Sequence, residues 1–411
     1  MRRSCVVVGG DSSLATYRVL LHTHRENTDL ESRPMLVLLA AFLGSLIATL
    51  WVVRTGRVGS HAAHDSDLTG PQKFHVRPVP RIGGLGIVAG VSVGALAMVW
   101  HDARSNALAL LLLLCGLPCF VAGIAEDFTK RISPRRRLFF TAVSAGLAVW
   151  GLQAVITYTA IPGLDWVVSV PLGAALVTMF VVTGVANSVN IIDGFNGLAS
   201  MCAMLILGAV GYVAFQVGDF PVLWLALAGI GALLGFFIWN YPAGLVFLGD
   251  GGAYFVGFYV AEVAILLLHR NPQVSPMFPL LACIYPVFET LFSIYRRRVL
   301  RDRSPGVPDG IHLHSLIYRR VVRWAAGPRE AKTLTRRNSM TSPYLWLLCM
   351  CAVVPAVLFW NDTAMLASFI LLFSVGYTVL YWRIVRFRAP RWMVIHTRPA
   401  ELTGSEPAGQ G

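Results

Sequence analysis

Residues 35–53 read MLVLLAAFLGSLIATLWVV, an apolar stretch without a single charged side chain. Crossing the hydrocarbon core of a bilayer as a helix takes about 20 largely apolar residues, so this stretch predicts a spanning helix. Ten more runs of the same kind follow, at 82–100, 106–124, 138–156, 166–186, 198–215, 222–239, 252–268, 277–295, 344–360 and 364–382. The composition agrees. Of 411 residues 56% are hydrophobic and only 13% charged, with a mean hydropathy of +0.64, whereas an ordinary soluble domain is roughly 25% charged. Such a chain cannot cover itself with a solvated surface. The expected fold class is an all-α polytopic membrane protein with eleven transmembrane helices.

The loops between these runs are asymmetric. With the start of the first helix outside, the inside segments 54–81, 125–137, 187–197, 240–251, 296–343 and 383–411 hold 27 of the 34 Lys and Arg residues. The outside loops hold two, Arg104 and Arg270, and residues 1–34 hold the other five. Excess Lys and Arg mark the cytoplasmic side, so the polar material, and any active site built from it, is expected at the cytoplasmic face. The domain reading follows: a membrane domain over 35–382 that includes a cytoplasmic loop at 296–343, then a basic cytoplasmic tail at 383–411. Residues 1–34 are mixed polar and basic, carry no cleavable signal, and fall on the wrong side by the charge rule. We expect them to be a non-native or disordered extension, with Met35 rather than Met1 as the start. Six of the seven cysteines lie inside apolar runs with no CxxC pair or His/Cys cluster, which reads as small buried residues.

Five inside segments carry residues that cost energy near hydrocarbon unless they hold something. In KFHVRPVPRIGGLGI (73–87), Lys73, His75, Arg77 and Arg81 precede the second run; a basic cluster meeting anionic lipid accounts for them equally well. In GIAEDFTKRISPRRRL (123–138), Glu126 and Asp127 stand side by side ahead of Lys130 and Arg131. Adjacent carboxylates repel unless a cation or proton lies between them, although a solvated acid pair at a helix end would look the same.

NSVNIIDGFNGLAS (187–200) sets Asn187, Asn190, Asp193 and Asn196 three residues apart, one broad face of a helix. Gly194 and Gly197 are expected to interrupt that helix. Polar groups this close to the bilayer suggest a site, with an interhelical hydrogen-bond network as the alternative. In NYPAGLVFLGDGGAYFVG (240–257), Asp250 sits between Gly249 and Gly251, where a carboxylate can ligate Mg²⁺ or cap the next helix. In PDGIHLHSLIYRRVVRW (308–324), His312 and His314 open a helix whose apolar residues Leu313, Leu316, Ile317, Val321 and Trp324 share one side, as on an amphipathic helix lying in the interface. Glu262 and Glu289 lie within apolar runs and read as packed, hydrogen-bonded or protonated groups outside the site. Carboxylates for Mg²⁺ and cations for phosphates, beside helices able to hold a lipid tail, point to phosphoryl chemistry between a soluble anion and a membrane lipid.

Over residues 73 to 324 these motifs resemble the polyprenyl-phosphate N-acetylhexosamine-1-phosphate transferases, in particular the branch that initiates O-antigen and enterobacterial common antigen. The family's Asp-Asp pair falls on Glu126 and Asp127, with its basic residue at Lys130. The Asn-x-x-Asn-x-x-Asp-Gly stretch falls on Asn187, Asn190, Asp193 and Gly194. The aspartate of Phe-x-Gly-Asp falls on Asp250, and the histidine loop on His312, Leu313, His314 and Ser315. Three positions depart from the pattern: Glu126 replaces an aspartate, Asn196 stands where many members have one, and Ser315 replaces a histidine.

The resemblance implies transfer of a sugar-1-phosphate from a UDP-HexNAc donor to undecaprenyl phosphate at the bacterial inner membrane. UMP would leave, as in the first membrane step of O-antigen or another surface polysaccharide. It further implies Mg²⁺, with Mn²⁺ as the substitute, on Asp250 and Asp193, and Asp127 with Glu126 acting on the lipid phosphate. His312, His314 and Lys73 would neutralise diphosphate charge, with Lys130, Asn187, Asn190 and Asn196 on the substrate side. No nucleic acid partner is implied, and a homodimer is compatible. Two other classes stay open: a transporter or flippase coupled to intramembrane acids, and a lipid-binding relative without catalysis.

Overall fold

The computed structural model describes residues 35–55, 79–99, 103–300, 311–322 and 331–386. The N-terminal segment 1–34, Lys73, His75 and Arg77, Trp324 and the tail from 387 onward lie outside the described residues. Among those described the fold is all-α. The helices are α1 (Met35–Thr55), then α2 (Gly84–Val99), α3 (Ala103–Thr129), α4 (Pro134–Gly151), α5 (Leu164–Val168), α6 (Pro171–Ile192) and α7 (Leu198–Gln216). They continue with α8 (Phe220–Asn240), α9 (Gly249–Arg270), α10 (Met277–Ala282), α11 (Ile284–Leu300), α12 (Leu313–Arg320), α13 (Ala331–Leu358) and α14 (Thr363–Val385).

Eight of the described helices, α1, α3, α6, α7, α8, α9, α13 and α14, are long and apolar enough to cross a membrane. The chain is a multi-pass membrane protein. The other three apolar runs also become helices, but of a different kind. The first is α2, a 16-residue helix. The second is α4, which opens on three arginines. The run at 277–295 is split at Cys283 into α10 and α11.

Local chemistry sets the ends. Ser133 caps α4, its hydroxyl accepting from the Arg136 amide, with Pro134 in the first turn. Asp362 caps α14 through the Ala364 and Met365 amides. As expected from its glycines, the 187–200 stretch breaks: α6 stops at Ile192, and Gly197, at φ +72°, precedes α7. That left-handed value is one a Cβ-bearing residue adopts only under strain.

α9 is the axis of the bundle. Its most apolar stretch is 94% buried within the protein, against 17% for α14. Glycines let it pack backbone to backbone: a Cβ on Gly123 of α3 would lie 2.4 Å from the Gly251 Cα, and one on Gly84 of α2 would lie 2.4 Å from the Gly252 Cα. The strap before α2 pairs with the loop before α9. The Phe247 amide donates to the Pro80 carbonyl at 2.8 Å, and Gly83 and Gly84 donate back to Phe247 and Leu248 at 2.9 and 3.0 Å. These contacts gather the start of α2, the end of α3 and the start of α9 at one end of the bundle.

Candidate active site

Asp127 is the best-held residue at that end. It is buried to 1% exposure, and its two carboxylate oxygens accept the Asp250 and Gly251 amides at 3.0 Å each. These are first-turn amides of α9, which otherwise lack partners. Asp127 therefore caps α9 from a neighbouring helix, and Asp250 is not the cap but lies one residue into the helix. Gly249 makes this approach feasible: its φ is +76°, and a Cβ there would fall 1.8 Å from the Arg81 carbonyl oxygen and 2.6 Å from Asp127 Oδ2.

The Asp250 side chain meets Arg137, Nη1 to Oδ2 at 2.5 Å, with 16% and 12% of the two side chains exposed. The Arg137 guanidinium also lies over the Tyr254 ring, 5.7 Å from its centroid, while its Nε is buried without a hydrogen-bond partner. Tyr254, one turn after Asp250, donates to Asn187 Oδ1 at 3.4 Å. So α4, α9 and α6 are joined through Arg137, Asp250, Tyr254 and Asn187. The sequence reading missed Arg137 because it stands in a run of three arginines. A signal was there, however: Arg137 lies one turn before Thr141 and in line with Ser144, Ala145 and Ala148, the buried stripe of α4.

Asn187 and Asn190 are partly exposed on the last turns of α6, and Asp193 follows at its C-cap. Asp193 keeps part of its surface accessible, but burial of its carboxyl pushes it up to about 7, against the pull of Arg81 and with the push of Asp250 and Asp127. The three aspartates are thus close enough to feel one another.

Asn196 does not share that face. The helix has ended, and Asn196 turns into a buried network: its amide donates to Asn338 Oδ1 at 2.8 Å, its Nδ2 donates to the Pro242 carbonyl and to Ser339 Oγ, and its carbonyl accepts Ser342 Oγ at 2.6 Å. It fastens the α6–α7 turn to α13. Glu126 is partly exposed, its Oε2 accepting the Ile132 amide at 2.6 Å. Lys130 is exposed just beyond α3, at φ +54°.

The histidine segment differs from the interfacial helix expected of it. α12 is only eight residues long, and 312–318 are all buried, because it packs into the protein against α13 and α14. Only Arg319 is fully exposed on it. The His312 and His314 rings stack, with centroids 5.1 Å apart and planes 11° apart. His314 reaches the Asn/Asp stretch: its ring meets Phe195 edge-on at 5.5 Å, and its Nε2 would lie 3.4 Å from a Cβ on Gly194. Glu289, read from sequence as outside the site, is the partner of His312, Oε1 to Nδ1 at 2.9 Å.

Among the described residues no group of three or more His, Cys, Asp or Glu side chains is arranged to ligate one ion. Mg²⁺ does not require such a cage, since it binds through one or two carboxylates together with substrate phosphates and water. Asp250 offers a hard oxygen ligand whose present counter-charge is a side chain, and Asp193 is a second within its electrostatic reach. The donor set fits Mg²⁺.

Residues 109–268, which span α3 through most of α9, match the model of glycosyl transferase family 4. The chain is 29% identical over 330 residues to an undecaprenyl-phosphate alpha-N-acetylglucosaminyl 1-phosphate transferase of Yersinia pestis, covering 77% of this chain and 84% of that one. It is 27% identical over 282 residues to a probable undecaprenyl-phosphate N-acetylglucosaminyl 1-phosphate transferase of Bacillus subtilis, covering 68% and 77%. Against a phospho-N-acetylmuramoyl-pentapeptide-transferase of Bacillus thuringiensis identity is 34% over 200 residues, covering 46% and 61%. Residues 109–268 thus carry the match to glycosyl transferase family 4, and the chain is homologous to undecaprenyl-phosphate N-acetylglucosaminyl 1-phosphate transferases. It is a transferase of the bacterial inner membrane.

Proposed function

We propose that the protein transfers N-acetylhexosamine-1-phosphate from a UDP-sugar to undecaprenyl phosphate at the cytoplasmic face, releasing UMP. A phosphate oxygen of the lipid would attack the sugar-linked phosphorus, and the bond from that phosphorus to the UMP oxygen would break. One phosphoanhydride replaces another, so the reaction stores and releases little energy. The work is positioning and charge neutralisation.

The observation that carries this reading is the Asp250–Arg137 ion pair at the mouth of α9, held by Asp127, joined through Tyr254 to Asn187 and within electrostatic reach of Asp193. Asp250 and Asp193 would hold Mg²⁺, which when bound supplies positive charge to the donor diphosphate. Arg137, released from Asp250, would present its guanidinium to a phosphate, for which its fork geometry is suited. Asp127, with both oxygens taken up by amides, acts through the position it gives Asp250. Glu126, partly exposed beside it, faces the lipid phosphate. His312, His314 and Lys73 add cationic charge, Lys130 sits on the lipid side, and Asn187 and Asn190 hold the nucleotide. The site's placement at one end of the bundle favours this reading over a transporter, which would need acids open to both faces.

Transfer of label from a UDP-[sugar-¹⁴C]HexNAc into the lipid phase tests the proposal. Wild-type protein should carry label into undecaprenyl-linked product, and Asp250→Asn should abolish transfer while the protein remains folded. Undiminished transfer by Asp250→Asn would sink the assignment of the site.

A further inference from the structure

Glu289 sits on α11 at 2% exposure, in an apolar stretch where a carboxylate is costly unless partnered. It is fully partnered. Oε1 meets His312 Nδ1 at 2.9 Å and accepts the Leu313 amide at 3.2 Å, and Oε2 accepts the Tyr377 hydroxyl at 2.6 Å. Two of these donors can only donate or do donate here, which suits an ionised, acceptor-only carboxylate. His312 is the N-cap residue of α12, yet its own side chain makes no capping bond. Glu289 supplies the cap instead, through the first amide of the helix.

The backbone on the other side of His312 is fixed as well. Arg296 donates to the Ile311 carbonyl at 2.6 Å and also to Tyr381, whose hydroxyl reaches the same carbonyl at 3.2 Å. His312 is therefore clamped on both flanks by α11 and α14, with its ring stacked on His314.

We infer that Glu289 is the positioning residue of the histidine segment: it holds the Nδ1–H of His312, so that Nε2, when protonated, is the ring atom left to donate to a substrate phosphate. A carboxylate on one ring nitrogen sets the tautomer and orientation of the other. Tyr377 fixes the carboxylate in turn. This inference rests on the proposed role of His312 at the donor diphosphate.

A purely structural Glu289 would tie the same helices together, so the test reads His312 directly. Full-length protein, ¹⁵N-labelled at histidine, is compared with His312→Asn to assign the His312 ring resonances at a pH where the ring is neutral. The proton is expected on Nδ1; a proton on Nε2 overturns the inference. Turnover is then measured for Glu289→Gln, which keeps size and an acceptor but loses the charge. The expected result is a fall in kcat of roughly 10–100-fold with little change in donor KM.

Wild-type kcat in Glu289→Gln, alongside loss of turnover in His312→Ala, would refute the positioning role and leave the histidine reading intact. Full turnover in His312→Ala would instead refute the histidine reading itself. If Glu289→Gln does not fold, Tyr377→Phe frees one oxygen of the carboxylate. It should lower kcat without changing donor KM, and an unchanged kcat would count against the inference.

Discussion

Replacing Arg137 by methionine isolates the contact on which the site turns. It leaves the Asp250 carboxylate without its partner at 2.5 Å and beside Asp127, Asp193 and the buried start of α9. Removing one member of a buried ion pair costs about 3–5 kcal/mol, and since 12% and 16% of these side chains stay exposed the lower end, about 3 kcal/mol, applies. At an unfolding entropy of about 2.1 cal/mol/K per residue, a chain of 411 residues has about 0.9 kcal/mol/K, so the thermal midpoint should fall by about 3–4 °C.

The sign of the Mg²⁺ response is the sharper part. With the guanidinium gone, a divalent cation should take its place, so millimolar Mg²⁺ should raise the midpoint more in Arg137→Met than in wild type. Thermal unfolding of detergent-purified protein, followed by tryptophan fluorescence with Mg²⁺ or EDTA, measures both effects. Arg136→Met is the control, because Arg136, the preceding residue of the same turn, is exposed. An Arg137→Met midpoint equal to that control, with no larger response to Mg²⁺, would refute the reasoning.

Two further outcomes follow from the same geometry. Asn196→Ala removes the Nδ2 bonds to Pro242 and Ser339 and should lower stability by about 1–2 kcal/mol while donor KM per folded molecule stays within about twofold, whereas Asn190→Ala should raise donor KM; an Asn196→Ala variant with normal stability and a raised KM would return Asn196 to the substrate side. Asp193 must be ionised to hold a cation and its carboxyl is pushed up to about 7, so at limiting Mg²⁺ turnover should rise with pH through about 7, and this limb should move to lower pH as Mg²⁺ increases, since metal and proton compete for the same oxygens. A limb that ignores Mg²⁺ concentration belongs to another group.

The helices were legible because apolar length is a one-dimensional property: every run of the sequence is helical, although those at 166–186 and 277–295 are each divided between two helices, and the breaks at Gly194 and Gly197 were written in the glycines. Three features were not legible, for separable reasons. The three-residue step that joins Asn187, Asn190 and Asp193 was carried one step too far, because Asn196 lies beyond the helix end and its direction is set by Asn338, Ser339 and Ser342 far along the chain. Arg137 was hidden among its neighbours, since charge counting cannot tell which arginine of a run faces inward. Glu289 was set aside because an isolated glutamate in an apolar run gives no hint of a histidine 23 residues later. α12 followed its amphipathic pattern, but the pattern could not say that protein rather than lipid would cover the apolar side.

The central claim is chemical, and release of UMP tests it most directly. Full-length protein in detergent would receive undecaprenyl phosphate, Mg²⁺ and, in turn, UDP-GlcNAc and 6-deoxy-HexNAc donors such as UDP-FucNAc and UDP-QuiNAc. The account predicts UMP release with at least one donor, lost when either the lipid is omitted or EDTA is added. Folded protein that releases no UMP from any of them, or that releases it without lipid, would contradict the account.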